Sequence, residues 1–322
     1  MLSRQLIKTI FSAATMQRWN DHIRPGNFWE LDKQAHKMII AYVLGKSQED
    51  RGTPVNWDLL IKGGLFEFFH RIKLTDIKPV VFHEIMASKG EELNGWVFDQ
   101  FREELQPIAD GSFFEEFIAY FEKDAPPLVE KKILEAAHYT ATQWEFRFIY
   151  NLCPFVHGID ETKALIEREL DQHRELAGIR SFGPGGDSFG FVDLCGQLRF
   201  QKRWSQTPRI PETSVLGHML LVAMLCYLST LGLAWCNRRR YNIFFGGLFH
   251  DLPEVLTRDI VSPVKQSVPG LEDLVKECEE RLVNQRLLPL LPPSWHDEIR
   301  YFTENEFDDR ITDNGRTVIL NG

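Results

Sequence analysis

Apolar residues recur along most of this chain at steps of three and four positions, the spacing that gives a helix one buried face. Residues 90–105 and 271–288 show it clearly. Proline and glycine cluster between such segments, and no run of alternating β-branched residues reaches strand length. The pattern predicts an all-α protein. Residues 1–19 are faintly amphipathic and basic, without a long apolar core or a cleavage site, and read as a first helix rather than a signal. Leu216 to Cys236 is almost wholly apolar and is followed by Arg238-Arg239-Arg240. It reads either as a membrane span or as a helix buried on all sides. The span would leave His218 in lipid, so the buried helix is the expectation. Gly178 to Gly190 is rich in glycine and is the natural linker. The predicted division is a first domain over 1–178, a linker over 179–190 and a second domain over 191–322.

The two parts echo each other. Gln17-Arg18-Trp19 matches Lys202-Arg203-Trp204, and His36 matches His218. Gly63-Gly64-Leu65-Phe66 matches Gly246-Gly247-Leu248-Phe249, and Asp76-Ile77 matches Asp259-Ile260. Tyr120-Phe121 falls opposite Tyr301-Phe302, and the offset stays between 181 and 185. A sustained offset predicts an internal duplication, hence two similar helical domains.

Composition narrows the function. Hydrophobic residues make up 43% of 322, including 24 Phe, so a sizeable core is available. The net charge of −9 argues against a nucleic-acid polymer as partner, since that affinity rests on Lys and Arg neutralising phosphates. A small phosphorylated substrate needs only a few local cations. Five scattered cysteines with no CxxC suggest reduced thiols in a cytoplasmic protein.

The candidate chemistry lies in the second part. His250-Asp251 places an imidazole beside a carboxylate, a ligand pair suited to a divalent metal such as Mn, Fe, Co, Zn or Mg. His218 lies 32 residues upstream on the apolar segment, and Glu254 follows Asp251 by three. Metal plus a nearby carboxylate is the equipment for hydrolysis by an activated water. Arg203 offers two parallel donors to a phosphate, and Trp204 a flat wall for a sugar or base. Asp259 is a candidate partner for a sugar hydroxyl, and Lys265 for phosphate. Each also has a plainer reading: Glu254 and Lys265 as solvated positions, Arg203 as a surface residue beside a core Trp204, Asp259 as a helix cap.

His218, His250-Asp251, Glu254 and the run Leu256 to Lys265 resemble the HD-domain phosphohydrolase superfamily, and within it the HD-domain 5′-deoxynucleotidases. Arg203-Trp204, 15 residues before His218, matches that group's Arg-Trp pair. The resemblance covers Arg203 to Lys265. It implies two HD-like helical bundles, one divalent ion on His218, His250 and Asp251, catalysis by Glu254 with Asp259, and a nucleotide held by Arg203, Trp204 and Lys265. Pro253, Arg258 and the prolines at 208 and 211 depart from the family pattern and leave the preferred nucleotide open. The first copy carries Glu67-Phe68 where the second has His250-Asp251, and His138 where a late Asp is expected. It reads either as a degenerate copy kept for packing or dimerisation, or as a different metal site on His36, Glu67 and His138. The second copy is expected to stop short of its own late Asp, with Asp308, Asp309 and Asp313 the remaining carboxylates in a polar turn. The expected function is metal-dependent hydrolysis of a nucleoside 5′-monophosphate. The alternative is an impaired HD module that senses a nucleotide or holds a partner.

Overall fold

The computed structural model describes residues 2–75, 77–122, 128–182, 186, 188–208, 210–258, 260, 262–304, 310–313 and 316–319. It is mostly helical. In chain order come α1 (Arg4–Ser12), β1 (Gln17–Arg18), β2 (Phe28–Trp29), α2 (Glu30–Asp50), α3 (Trp57–Leu74), α4 (Pro79–Leu105), α5 (Ser112–Tyr120), α6 (Val129–Leu152) and α7 (Ile159–Asp171). There follow α8 (Phe189–Gln197), α9 (Val215–Thr230), α10 (Asn237–Phe249), α11 (Glu254–Thr257), α12 (Ser262–Lys265), α13 (Leu271–Leu282), α14 (His296–Thr303), β3 (Arg310–Asp313) and β4 (Arg316–Ile319). Each pair of strands forms a two-stranded antiparallel ribbon. The second ribbon lies where the sequence suggests only a polar turn.

Local chemistry sets the helix starts. Ser3, Asn56 and Ser214 each accept a hydrogen bond from a backbone N–H of the first turn, capping α1, α3 and α9. Pro79 opens α4, where its missing N–H costs nothing. The apolar run beginning at Leu216 is not one long helix. α9 ends at Thr230, and a turn follows in which Leu233 N–H donates to the Thr230 carbonyl. Val215, Leu216, Met219, Leu220, Ala223, Met224 and Tyr227 of α9 are buried, as a core helix requires. Among the described residues, no helix is long and apolar enough to cross a membrane.

One apolar core runs through residues from both parts of the chain, from Leu6 to Phe302. α2 packs against α9, and α3 against α10. Tyr42 of α2 is fully buried against Phe245, Phe249 and Phe302, and its hydroxyl donates to Glu298 at 2.9 Å. Burying a side chain of this size contributes roughly 1.5–3 kcal/mol. Tyr227 of α9 donates to Asp58 of α3 at 2.7 Å, and Ser214 donates to Asp32 of α2.

The same rare backbone conformation recurs at paired positions. Trp19 and Trp204 have φ of 55° and 54°, and Thr75 and Arg258 have φ of 60° and 67°. The pairing of Gln17 with Trp29 recurs as a bridge between Lys202 and Ser214.

Candidate metal centre

α9 and α10 pack along each other and carry the cluster. Gly247 makes the close approach: a Cβ there would lie 2.8 Å from the Ala223 Cα. One turn later α10 gives way to His250, whose Nδ1 lies 2.9 Å from the Gly247 carbonyl oxygen. His218 is in the first turn of α9, its N–H bonded to the Ser214 carbonyl. His218, His250 and Asp251 each offer an atom within 4.8 Å of the others, and all three are half-buried. His250 Nε2 is 3.2 Å from Asp251 Oδ2, and His218 Nε2 is 3.6 Å from the same oxygen. Arg203 Nη1 lies 3.8 Å from it.

This arrangement fits a cation. The Gly247 carbonyl takes the Nδ1 proton of His250, which leaves Nε2 bare in the neutral ring. Bare Nε2 then faces a carboxylate oxygen, lone pair against lone pair, and a shared cation or a proton relieves the repulsion. Burial opposes ionisation of Asp251. With the imidazoles protonated, a hydrogen bond from His250 and the positive charges of His250, His218 and Arg203 outweigh that and hold the carboxyl below its usual range.

Of the other candidate residues, Glu254 opens α11, with its N–H bonded to the Asp251 carbonyl. Its carbonyl accepts from Gln201 Nε2 at 3.1 Å and from the Arg258 N–H at 2.7 Å. Gln201 is a neighbour that the sequence did not mark. Arg203 is anchored by its N–H to the Thr213 carbonyl at 3.0 Å. Trp204 is half-buried beside it. Lys265 ends α12, which packs on α13. Asp259, Asp76, Asp308 and Asp309 lie outside the described residues, and Asp313 falls in β3. Arg203 and His218 open into a cleft of 510 Å³ whose walls include Phe11, Leu31, Ile210 and Leu221. Phe11 and Leu31 come from the first part of the chain, and nothing in their local sequence signals this.

The corresponding positions of the first part are differently used. His36 is fully buried and donates Nε2–H to the Val192 carbonyl at 2.9 Å. Burial, helped by the Arg199 charge, pushes it down to about 3. Glu67 is bonded instead to the Lys37 ammonium and to the Tyr120 hydroxyl. His138 meets Lys33, and burial lowers both pKa values well below their ordinary range. A metal on His36, Glu67 and His138 is therefore not what these side chains build: two lysines stand in front of the other two groups. Among the described residues, His218, His250 and Asp251 are the one group of three or more such side chains close enough to share an ion. All five cysteines are free thiols.

Comparison with known proteins agrees on the region. A 5′-deoxynucleotidase of Vibrio atlanticus (strain LGP32) is 26% identical over 139 residues, 40% of this chain and 69% of that protein. A 5′-deoxynucleotidase of Yersinia pestis (strain Pestoides F) is 26% identical over 129 residues, 36% of this chain and 63% of that protein. The chain thus spans about two thirds of the length of these relatives. No solved structure matches it. Residues 195–319 match the family model described as HD domain, so the part of the chain that holds His218, His250 and Asp251 is the part with the HD-domain match.

Proposed function

We propose that this chain is a metal-dependent phosphohydrolase acting on a small phosphomonoester, with nucleoside 5′-monophosphates as the substrate class. The observation that carries the reading is the convergence of His218, His250 and Asp251 beside Arg203 at the mouth of a cleft. The two imidazoles and the carboxylate would hold one divalent cation. Such an ion supplies polarisation of a phosphoryl oxygen and a lowered pKa for water beside it. Arg203 binds the phosphate and orients it toward the cluster. Glu254 takes the proton of the attacking water as the phosphorus–oxygen ester bond breaks, and returns a proton to the leaving alkoxide. The products are inorganic phosphate and the alcohol. Trp204 and Lys265 are assigned to substrate binding, and Asp259 to the sugar. The 26% likeness to proteins named 5′-deoxynucleotidase supports the substrate class.

The chain is also proposed to be a duplication, with its first domain over 1–178, a linker over 179–190 and its second domain over 191–322. The matching positive φ values at Trp19 and Trp204, and at Thr75 and Arg258, support it. Such conformations are uncommon for these residue types, so the agreement at a steady offset is hard to obtain by chance.

The test is phosphate release from a nucleoside 5′-monophosphate panel with Mn, Co or Mg. Glu254→Ala should lower kcat by about 100-fold or more. His250→Ala should lose the metal, read by elemental analysis. No release with any metal would remove the enzyme reading and leave a nucleotide sensor. Stoichiometric metal retained in His250→Ala would place the ion elsewhere.

A further inference from the structure

The cleft beside the cluster has two unlike ends. Arg203 and His218 form the polar end, and Phe11, Leu31, Ile210 and Leu221 supply apolar wall. Its volume of 510 Å³ is that of a small-molecule site. Two of those apolar residues belong to the part of the chain without the metal cluster. Their placement is set by packing and backbone hydrogen bonds. α1 is anchored by Leu6 and Ile10, both fully buried, and packs against α3, α4 and α9. Leu31 N–H donates to the Ala13 carbonyl at 3.1 Å, and Glu30 N–H to the Met16 carbonyl at 2.9 Å, tying the start of α2 to the end of α1. Gly217, next to His218, lets Leu31 approach: a Cβ there would lie 3.2 Å from Leu31 Cδ2. Phe11 is half-buried, with its ring at the cleft.

We propose that Phe11, backed by the buried Leu31, forms the specificity-determining wall of the cleft, receiving the flat, apolar part of a phosphomonoester whose phosphate lies at Arg203. The inference rests on the phosphomonoester reading above. A phosphate alone would use only the polar end. An aromatic base gains from the wall as well, because apolar burial and contact with a ring face need no specific donor or acceptor. The first part of the chain is thus a component of the substrate site although it lacks the metal cluster.

The experiment is calorimetric titration of the whole chain with two probes, a non-hydrolysable nucleoside 5′-phosphonate and ribose 5-phosphate. Phe11→Ala should weaken the nucleoside probe about tenfold and leave ribose 5-phosphate within about twofold. Phe11→Trp should keep nucleoside binding by restoring a flat wall. Arg203→Ala should weaken both probes. Equal loss of both probes in Phe11→Ala would mean that Phe11 only supports packing, and no loss of either would mean that it does not touch the ligand; each overturns the inference. If Arg203→Ala weakens neither, or the unmodified chain binds neither, the phosphomonoester reading itself fails.

Discussion

Asp32 offers a quantitative test of how the two parts of the chain are joined. It lies on α2, is 2% exposed, and accepts from the Ser214 hydroxyl that caps the His218 helix. Burial raises its pKa from 3.8 to about 6, against the opposing pull of Arg199 and the Ser214 and Gly217 donors and with some help from Glu145. In the folded state it therefore holds its proton to a higher pH than in the unfolded state. Between those pKa values the folded chain binds more protons, so this group's contribution to stability falls as pH rises. Asp32→Asn removes the ionisation and keeps an oxygen acceptor toward Ser214. Relative to its value at low pH, the stability difference between Asn and Asp should grow by about 1 kcal/mol at pH 4.5 and about 3 kcal/mol at pH 8. Taking the difference between the two chains cancels most of the contribution of carboxylates with lowered pKa, such as Glu145 and Glu298, which is lost on acidification. Urea unfolding at four pH values from 4.5 to 8 measures it. A difference that stays flat, or shrinks with pH, refutes the burial of Asp32 against α9.

Two further outcomes follow from packing and charge. Gly247→Ala should destabilise by about 1–3 kcal/mol, because its Cβ meets Ala223 backbone, whereas Gly246→Ala, with nothing within 4 Å, should stabilise by up to about 1 kcal/mol through helix propensity. Thermal unfolding of both gives the sign. Lys37→Met should cost about 1–3 kcal/mol, since Lys37 is buried while Glu67 is partly exposed, and adding Glu67→Gln should recover part of it; strictly additive effects would show that the pair does not interact.

The convergence of His218, His250 and Asp251 was legible because its signal is local. Adjacent His250 and Asp251 at a helix end, and a histidine in the first turn of an apolar helix, depend on short-range geometry. The helix pattern was legible for the same reason, with α4 ending at Leu105 and α13 opening at Leu271, at the bounds of the segments expected over 90–105 and 271–288. Contacts across the chain were not. Phe11 reaches the cleft through the packing of α1 on α9, which no periodicity encodes. His36 shows another limit. It occupies the matching place in sequence but turns to Val192, while Lys33 and Lys37, four residues apart on one face of α2, point toward His138 and Glu67. A pair of lysines at that spacing in a buried helix was the available sign. The β3–β4 ribbon was missed although Asn314-Gly315 lies between its strands, a dipeptide strongly associated with two-residue hairpins.

The two parts answer the same electrostatic problem in different ways. In the second, Arg203 and His218 line a cleft beside Asp251 and His250, and on the proposed function their charges are completed by something that enters. In the first, the completing charges belong to the chain. Arg18 and Trp19, which match Arg203 and Trp204, both donate to Glu145, at 3.0 and 2.8 Å. An internal carboxylate thus stands where the second part presents its Arg to a cleft. Lys37 likewise brings a tethered ammonium to Glu67, where the second part has the His218–His250–Asp251 cluster. Glu145 is fully buried and also takes Arg199 at 2.7 Å, from the segment leading to Arg203. Removing a partner from such a buried set leaves an uncompensated charge, which costs more than the set contributes when whole. The first part is therefore held to one arrangement by charges it cannot exchange. That fixity is what a wall of a binding cleft needs, because a surface that is already ordered loses little entropy when a ligand comes to rest against it.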